Sequence, residues 1–201
     1  MKKKEELKSK IIVSAIEYIE KDGMHGLTIR KVAEIANVNI AAINYYFGSK
    51  DELVEEVLKY TQEHYQRDME DFLARDYPSS RELLHEIAVY NLSGGMLYQN
   101  ITKAHLYAAF INNNYDSPFM VFFRDYLHKL LKRLREFNEN RDYESIILQI
   151  ISSVMFIPIF PGVFEGLGNI ELKNNDYQMK YINNLLDNVF CTNHSKGEKN
   201  E

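Results

Sequence analysis

The side chains best suited to molecular recognition lie between Thr28 and Lys50. They are small, or uncharged with hydrogen-bonding ends, and they surround a helix predicted from about Asn39 to Tyr46: Asn39, Ala41, Ala42, Asn44, Tyr45 and Tyr46. Small residues let a helix backbone approach the floor of a DNA groove, while asparagine and tyrosine can reach base edges and phosphates. Two adjacent tyrosines near a helix end leave one ring exposed unless something covers it. The segment therefore predicts a surface that contacts nucleic acid.

The apolar residues of the same segment have the spacing of two short helices joined by a tight turn. The inward-facing set is Val32, Ala36, Val38, Ile43 and Phe47. Ala33 falls where the two helices must cross closely, so a larger side chain would force them apart. Asn37 occupies a turn position that demands a positive φ, which asparagine tolerates better than other non-glycine residues. These are the physical requirements of a helix-turn-helix.

Enzymatic chemistry has no comparable support in the sequence. There is no nucleophile elbow, phosphate-binding loop, HExxH motif or paired-carboxylate motif. The spacings of His85, His105 and His128 place no two of them on adjacent helical turns, and no cysteine accompanies them. We therefore expect no enzyme activity, no metal and no cofactor.

Charge is unevenly distributed along the chain. The net charge is −5, but residues 1–50 hold nine Lys/Arg against six Asp/Glu. The first 50 residues are therefore basic and the remainder is acidic, which suits a protein that meets phosphate at one end only. The one cysteine, Cys191, cannot form a disulfide within the chain and fits a reducing cytosol, so we expect a cytoplasmic location.

Residues 146–164 are uncharged and long enough to suggest a membrane span. Polar residues, Pro158, Pro161 and Gly162 interrupt the stretch, and no second span accompanies it. A helix that is apolar all round is usually central in its domain or buried in an oligomer interface. We therefore interpret it as a buried helix and expect no membrane association.

The hydrophobic pattern is helical almost throughout, and it predicts an all-α fold of about nine helices. Two capping boxes, Ser49 with Glu52 and Ser79 with Glu82, mark helix starts, and Gly94-Gly95 is expected to weaken or kink the helix that holds it. The predicted organisation is a helix-turn-helix domain at 1–48, a connecting helix at 49–75, a ligand-binding and dimerisation domain at 76–192, and a disordered tail at 193–201.

The sequence resembles the TetR/AcrR signature, in which a helix-turn-helix runs into an aromatic pair, a phenylalanine, a short turn and a lysine. Here these are Tyr45, Tyr46, Phe47, Gly48-Ser49 and Lys50, and the match extends from about Leu7 to Leu58. The resemblance implies a DNA-binding transcriptional regulator, most often a ligand-responsive repressor. This chain departs from many members in having no lysine or arginine from Asn39 to Phe47, so affinity must rely more on the flanks.

The resemblance also implies roles for individual residues. Thr28 resembles a helix cap that contacts phosphate, Arg30 a residue that reaches a base or phosphate, and Lys50 with Tyr46 a backbone clamp. The groove-facing set by this resemblance is Ala41, Ala42, Asn44 and Tyr45. Each assignment has an alternative: Thr28 and Asn39 can be ordinary caps, Arg30 can form a surface ion pair, and Tyr45 can pack on the first helix. Lys2 to Lys4 form either a DNA-binding arm or a solvated tail.

The body of the chain is rich in aromatic residues, with 18 of the 25 Phe and Tyr residues after Arg75. A surplus of this kind is what a ligand cavity between helices needs. The candidates for a hydrophobic effector are Tyr98, Tyr107, Phe110, Phe123, Tyr126, Met155 and Phe156. The predicted helices at about 143–165 and 175–191 are expected to form a four-helix interface with a second copy. The alternative is a DNA-binding protein of the same fold that answers to a protein partner or to no effector.

Overall fold

The computed structural model describes residues 2–164 and 166–191, and this part of the chain contains helices, turns and loops without a β-strand. Ten helices follow one another within these residues: α1 (Lys2–Asp22), α2 (Ile29–Ala36), α3 (Ile40–Phe47), α4 (Lys50–Ala74), α5 (Ser80–Leu97), α6 (Gln99–Asn112), α7 (Pro118–Arg135), α8 (Tyr143–Ile159), α9 (Pro161–Phe164) and α10 (Asn175–Cys191). The predicted all-α fold is confirmed. The predicted disordered tail at 193–201 and the side chains of Lys2 and Lys3 lie outside the described residues.

The uncharged stretch that we predicted as one helix over 143–165 forms two helices. The first, α8, ends at Ile159, and Pro161 begins the short α9. Between them Phe160 has φ −128° and ψ 50°, which is not a helical conformation. A residue before proline is disfavoured in the α region because the proline ring clashes with its backbone N–H and Cβ. Pro161 therefore accounts for α9, the one helix more than the nine that we predicted.

One compact unit contains α1, α2, α3 and the first two-thirds of α4, which extend to Arg67, together with Tyr98–Tyr115, which includes α6. A single apolar core holds these helices together. Its fully buried members are Ile11, Ala15, Ile19, Val32, Ala36, Ile43, Leu53 and Val57, and Ile101 of α6 joins them. The helix-turn-helix is thus built on a core to which a helix from later in the chain contributes.

Polar contacts also tie α6 to the rest of this unit. The Glu20 carboxylate, at the end of α1, accepts hydrogen bonds from the backbone N–H groups of Asn100 (3.1 Å) and Ile101 (2.7 Å). The cap residue of α6, Tyr98, provides no side-chain cap, so Glu20 satisfies donors that would otherwise have no partner in the helix. Further along α6, His105 Nε2 lies 2.9 Å from the Thr61 hydroxyl oxygen on α4.

The grouping of α6 differs from the domain organisation that we predicted, in which 76–192 formed one domain. Because α6 belongs with the first unit, the chain passes between the two units three times, after Arg67, after Leu97 and after Tyr115. The helix predicted at 49–75 is therefore one of three connections between the two units.

The second compact unit comprises Asp68–Leu97 and the described residues after Tyr115. Here α5 packs against α8 and α10, and α7 packs against α8. Its core is aliphatic with buried tyrosines, and its fully buried members include Leu83, Leu84, Ile87, Tyr126, Leu130, Leu134, Tyr143, Ile150, Val154, Ile182 and Leu186. The Tyr143 hydroxyl donates a buried hydrogen bond of 2.9 Å to the Ser80 hydroxyl, so the start of α8 is fixed to the start of α5.

Gly94 and Gly95 do not end α5, which continues through both to Leu97. The two glycines have different surroundings. A Cβ atom added at Gly95 would lie 2.7 Å from Cγ of Pro158, whereas nothing lies within 4 Å of one added at Gly94. Gly95 is therefore required for the close approach of α5 and α8.

Among the described residues, no helix is both long enough and apolar enough to span a membrane. The interrupted stretch at 146–164 contributes to the second core through Ile146, Ile150 and Val154, which are fully buried.

Candidate nucleic-acid interface

The helix-turn-helix begins with a capped helix. Thr28 has an extended backbone, and its hydroxyl accepts a hydrogen bond of 3.3 Å from the backbone N–H of Lys31. Thr28 is thus the N-cap of α2, and its exposed side chain leaves phosphate contact open as a second role. Arg30 lies 3.3 Å from Glu34 in an exposed ion pair, the alternative that we named for it.

The turn between α2 and α3 has the predicted geometry. Asn37 adopts the left-handed conformation with φ 50° and ψ 53°. Its backbone N–H donates to the carbonyl oxygen of Glu34 at 3.2 Å, and the N–H of Val38 donates to Ala33 at 3.0 Å. Ala33 is only 4% exposed, as expected at the crossing of two helices. These bonds satisfy the last carbonyl groups of α2 and set the direction of α3.

The recognition helix α3 separates an apolar inner face from a polar outer face. Its N-cap Asn39 accepts a hydrogen bond of 2.7 Å from the backbone N–H of Ala42. Ile43 is fully buried and Phe47 is 4% exposed, so both belong to the core. The exposed face of α3 consists of Asn39, Ile40, Ala41, Asn44 and Tyr45. Apart from Ile40, this face has the small and uncharged polar character needed to approach base edges.

The two tyrosines of α3 lie in different environments. Tyr45 is 72% exposed, so it does not pack into the core, whereas Tyr46 is half-buried against the core residues. Their ring centroids are 5.2 Å apart in an edge-to-face arrangement. Tyr46 thus supports Tyr45 from one side and leaves the Tyr45 hydroxyl at the surface.

The start of α4 is held by the predicted capping box. The backbone N–H of Ser49 donates to the Glu52 carboxylate at 3.0 Å, and the N–H of Glu52 donates to the Ser49 hydroxyl at 3.2 Å. Gly48 precedes the capping box with φ 72°, a backbone conformation that residues other than glycine rarely adopt. This turn places Lys50 at the first position of α4, half-buried and next in the chain to α3.

One residue of this surface and one contact within it were missed by the sequence reasoning. Ile40, the first residue of α3, is 46% exposed, and an exposed apolar residue can contact a thymine methyl group. Lys4 was predicted as part of either a DNA-binding arm or a solvated tail, but its contact with α3 was not foreseen: its ammonium group lies 3.3 Å from the Tyr45 hydroxyl. The sequence held a signal for it: Lys4 and Lys8 precede Ile11 and Ala15 at helical steps of three or four, on the same face of α1.

The seven predicted effector residues are divided between the two units. Tyr98, Tyr107 and Phe110 belong to the first unit and are about half exposed. In the second unit Phe123 is half-buried, while Tyr126 is buried with a hydroxyl that has no hydrogen-bond partner among the described residues. Burial raises the pKa of Tyr126 above its usual value, so this hydroxyl remains protonated.

Met155 and Phe156 do line a common cavity in the second unit. It has a volume of about 740 Å³ and is bordered by the end of α8, by α9, by the following loop and by the start of α10. Its other lining residues are apolar or carry a hydroxyl group: Ser152, Ser153, Ile157, Ile159, Phe164, Leu167, Ile170, Leu172, Tyr177 and Tyr181. No group of three His, Cys, Asp or Glu side chains that could hold a metal occurs in the described part of the chain.

Comparison with known proteins agrees with this geometry. Residues 11–57 match the family model described as "Bacterial regulatory proteins, tetR family". A Bacillus subtilis protein described as "Probable HTH-type transcriptional regulator YttP" is 38% identical over 63 residues, which are 31% of this chain and 30% of that protein. The transcriptional regulator BetI of Burkholderia thailandensis is 25% identical over 153 residues, covering 73% of this chain and 69% of BetI.

Solved structures share the fold over nearly the whole chain. A TetR transcription regulator from Haloarcula marismortui superimposes with a TM-score of 0.63 at 15% identity, covering 92% of this chain and 98% of that one. FadR of Bacillus subtilis, solved in complex with stearoyl-CoA, has a TM-score of 0.57 at 17% identity, covering 90% and 96%. At these identities the likeness concerns the fold alone.

An amino-terminal helix-turn-helix in an all-helical chain defines a class, the DNA-binding regulators of transcription. Within that class, residues 11–57 match the tetR family model, and a TetR transcription regulator of known structure shares the fold of nearly the whole chain.

Proposed function

We propose that this chain is a homodimeric repressor that binds a palindromic DNA operator through two copies of α3 and leaves it when a small apolar effector binds. The observation that carries the DNA-binding part is the division of α3 into two faces. Ile43 and Phe47 are buried, while Asn44 and Tyr45 are exposed on the opposite side. A short helix with a fixed inner face and a small, polar outer face is suited to the major groove.

Dimerisation is proposed through α8 and α10, which pack against each other. The support is apolar surface that the single chain leaves uncovered. Leu148 of α8 is 70% exposed and Met179 of α10 is 37% exposed. Two such helices from each chain would make a four-helix interface with two-fold symmetry. That symmetry would present two recognition helices to successive major grooves, roughly 34–36 Å apart, on a palindromic site.

The effector is proposed to be hydrophobic because the cavity that contains Met155 and Phe156 has a largely apolar lining. Its volume of about 740 Å³ is within the range of pockets that bind drug-sized molecules. A protein of this fold from Bacillus subtilis was solved with stearoyl-CoA, so the fold can accommodate a ligand with a long apolar chain.

Helix α4 is the proposed route of the signal. Leu53 and Val57, near its start, are fully buried in the first core, and Met69, near its end, is fully buried in the second unit. A shift of one end is therefore transmitted to the other. An effector that prefers the released form by about 1–3 kcal/mol would lower DNA affinity about 5- to 150-fold.

The test of DNA binding begins with selection of bound duplexes from a random library by the full-length protein. Asn44→Ala is expected to weaken binding to the selected duplex and to blur base preference at one position, whereas Tyr46→Ala and Lys50→Ala weaken binding to all sequences. Asn140→Ala, at an exposed asparagine of the second unit, is the matched control. An Asn44→Ala protein with unchanged affinity and base preference would show that Asn44 does not recognise a base.

The test of effector release is a reciprocal titration. Once a ligand has been found by screening apolar compounds, its affinity is measured with and without the selected duplex. Linkage requires that DNA weaken ligand binding by the same factor by which the ligand weakens DNA binding. Equal ligand affinity in both titrations would show that the compound is not an inducer and would favour the alternative, control by a protein partner or by no effector.

A further inference from the structure

We propose that Lys4 of α1 and Tyr45 of α3 act as one unit that binds a DNA phosphate group. This inference rests on the proposed DNA-binding function and adds a contact from outside the helix-turn-helix. Lys4 Nζ lies 3.3 Å from the Tyr45 hydroxyl oxygen and 5.1 Å from the centroid of its ring. The same ammonium group lies 5.9 Å from the centroid of the Tyr46 ring, so it contacts both tyrosines of the recognition helix.

The charge of Lys4 is not neutralised by a carboxylate among the described residues. By contrast, two other cations of the first unit form ion pairs: Arg30 with Glu34, and Lys8 with Glu56 at 2.5 Å. Aromatic rings attract an ammonium group without cancelling its charge. Lys4 therefore presents a full positive charge beside Tyr45, which is 72% exposed.

The need for such a charge follows from the composition of α3. Its sequence, IAAINYYF, contains no lysine or arginine. Most of the affinity of proteins for DNA comes from neutralising phosphates, so a recognition helix without cations requires them from neighbouring elements. Lys4 reaches α3 from α1, and Lys8, one turn further along, lies 5.7 Å from the Phe47 ring centroid and fixes the same face of α1 against α3.

The pair also restrains Tyr45. An exposed tyrosine on a helix can adopt several rotamers, but here Tyr46 contacts one side of the ring and Lys4 lies over it. The phenol and the ammonium group thus face the surface together, as two donors for one phosphate. Charge-assisted hydrogen bonds of this kind are the strong ones in DNA backbone contacts.

The experiment compares Lys4→Met, Lys4→Arg, Tyr45→Phe and the Lys4→Met/Tyr45→Phe double variant, using the selected duplex at several salt concentrations. Lys10→Met is the matched control, since Lys10 is an exposed lysine on a different face of the same helix. We expect Lys4→Met to weaken binding about 5-fold. We also expect the negative slope of log affinity against log salt to become less steep by about one. Lys4→Arg should restore the slope, and Lys10→Met should leave it unchanged.

The double variant tests whether the two residues act together. If the two residues share one phosphate, the fold-loss of affinity in the double variant is smaller than the product of the fold-losses in the two single variants. Multiplicative losses, or a Lys4→Met protein with an unchanged salt slope, would overturn the proposal. Failure of the wild-type protein to select any duplex would instead contradict the proposed function, so the two failures are distinguishable. Circular dichroism melting of each variant checks that folding is retained.

Discussion

The Glu20 carboxylate accepts a hydrogen bond of 2.7 Å from the backbone N–H of Ile101, 81 residues later in the chain. One acidic side chain of α1 thereby caps the first turn of α6. The side chain of Asn100 reinforces the contact, since its Nδ2 donates to the carbonyl oxygens of Ile19 (3.0 Å) and Glu20 (3.1 Å). The side chain of Glu20 thus bonds to the backbone of α6, and the side chain of Asn100 bonds to the backbone of α1.

Removing this cap is expected to destabilise the protein. Loss of a helix cap typically costs about 1 kcal/mol, so we expect Glu20→Ala to lower the free energy of unfolding by about 1–2 kcal/mol in urea titrations. Glu17→Ala, at an exposed glutamate of the same helix, is the control and should have little effect. Equal stability of the two variants would show that water replaces the carboxylate without cost.

His105 predicts a dependence of stability on pH. Burial lowers its pKa from the usual 6.5 to about 4. The folded protein therefore binds this proton less readily than the unfolded chain does, and the stabilising contribution is present above pH 6.5 and is lost as the pH falls toward 4. We expect His105→Gln to reduce the loss of stability between pH 7 and pH 4.5 by about 2 kcal/mol.

The measurement for His105 is urea unfolding at the two pH values, with His25→Gln as the control. His25 is an exposed histidine of the same unit, so its substitution controls for the removal of a histidine as such. If His105→Gln and the wild-type protein lost the same stability on acidification, another group would be responsible.

The adjacent glycines of α5 should respond in opposite ways to alanine. At Gly95 the new Cβ would meet the Pro158 ring at 2.7 Å, so we expect Gly95→Ala to destabilise the protein by about 1–3 kcal/mol. At Gly94 there is open space, and alanine should stabilise the helix by up to about 1 kcal/mol because it favours helix more than glycine does. Thermal melting of both variants is sufficient, and a stabilised Gly95→Ala protein would mean that α5 and α8 can separate easily.

The proposed dimer makes a prediction about Leu148. Because this side chain is 70% exposed in the single chain, Leu148→Glu should not disturb folding, but it would place a charge in the proposed four-helix interface. We expect sedimentation experiments at micromolar concentration to show a dimer for the wild-type protein and a monomer for Leu148→Glu. Val121→Glu, on the exposed side of α7, should remain dimeric. A monomeric wild-type protein would contradict the proposed assembly.

Features set by neighbouring residues were predicted well from the sequence. The capping box of Ser49 and Glu52 and the left-handed turn at Asn37 depend on residues within one or two turns, and both are present. The buried set around Ile43 and Phe47 follows from helical periodicity in the same way.

Features that join distant residues were not predicted. The contact of Lys4 with Tyr45 spans 41 positions, and that of Glu20 with Ile101 spans 81. No local rule pairs a carboxylate with the start of a particular later helix. Aromatic content along α6, α7 and α8 likewise does not reveal which faces of these helices meet, so the predicted effector residues stay a prediction.

The division of the first unit into two stretches of chain has a consequence for synthesis on the ribosome. The core position filled by Ile101 and the donors that satisfy Glu20 are translated long after α3 has emerged. The helix-turn-helix therefore cannot complete its core until synthesis has passed α6. A nascent chain that ended with α4 would expose apolar surface where Ile101 belongs, so DNA binding should become available late in translation rather than with its first quarter.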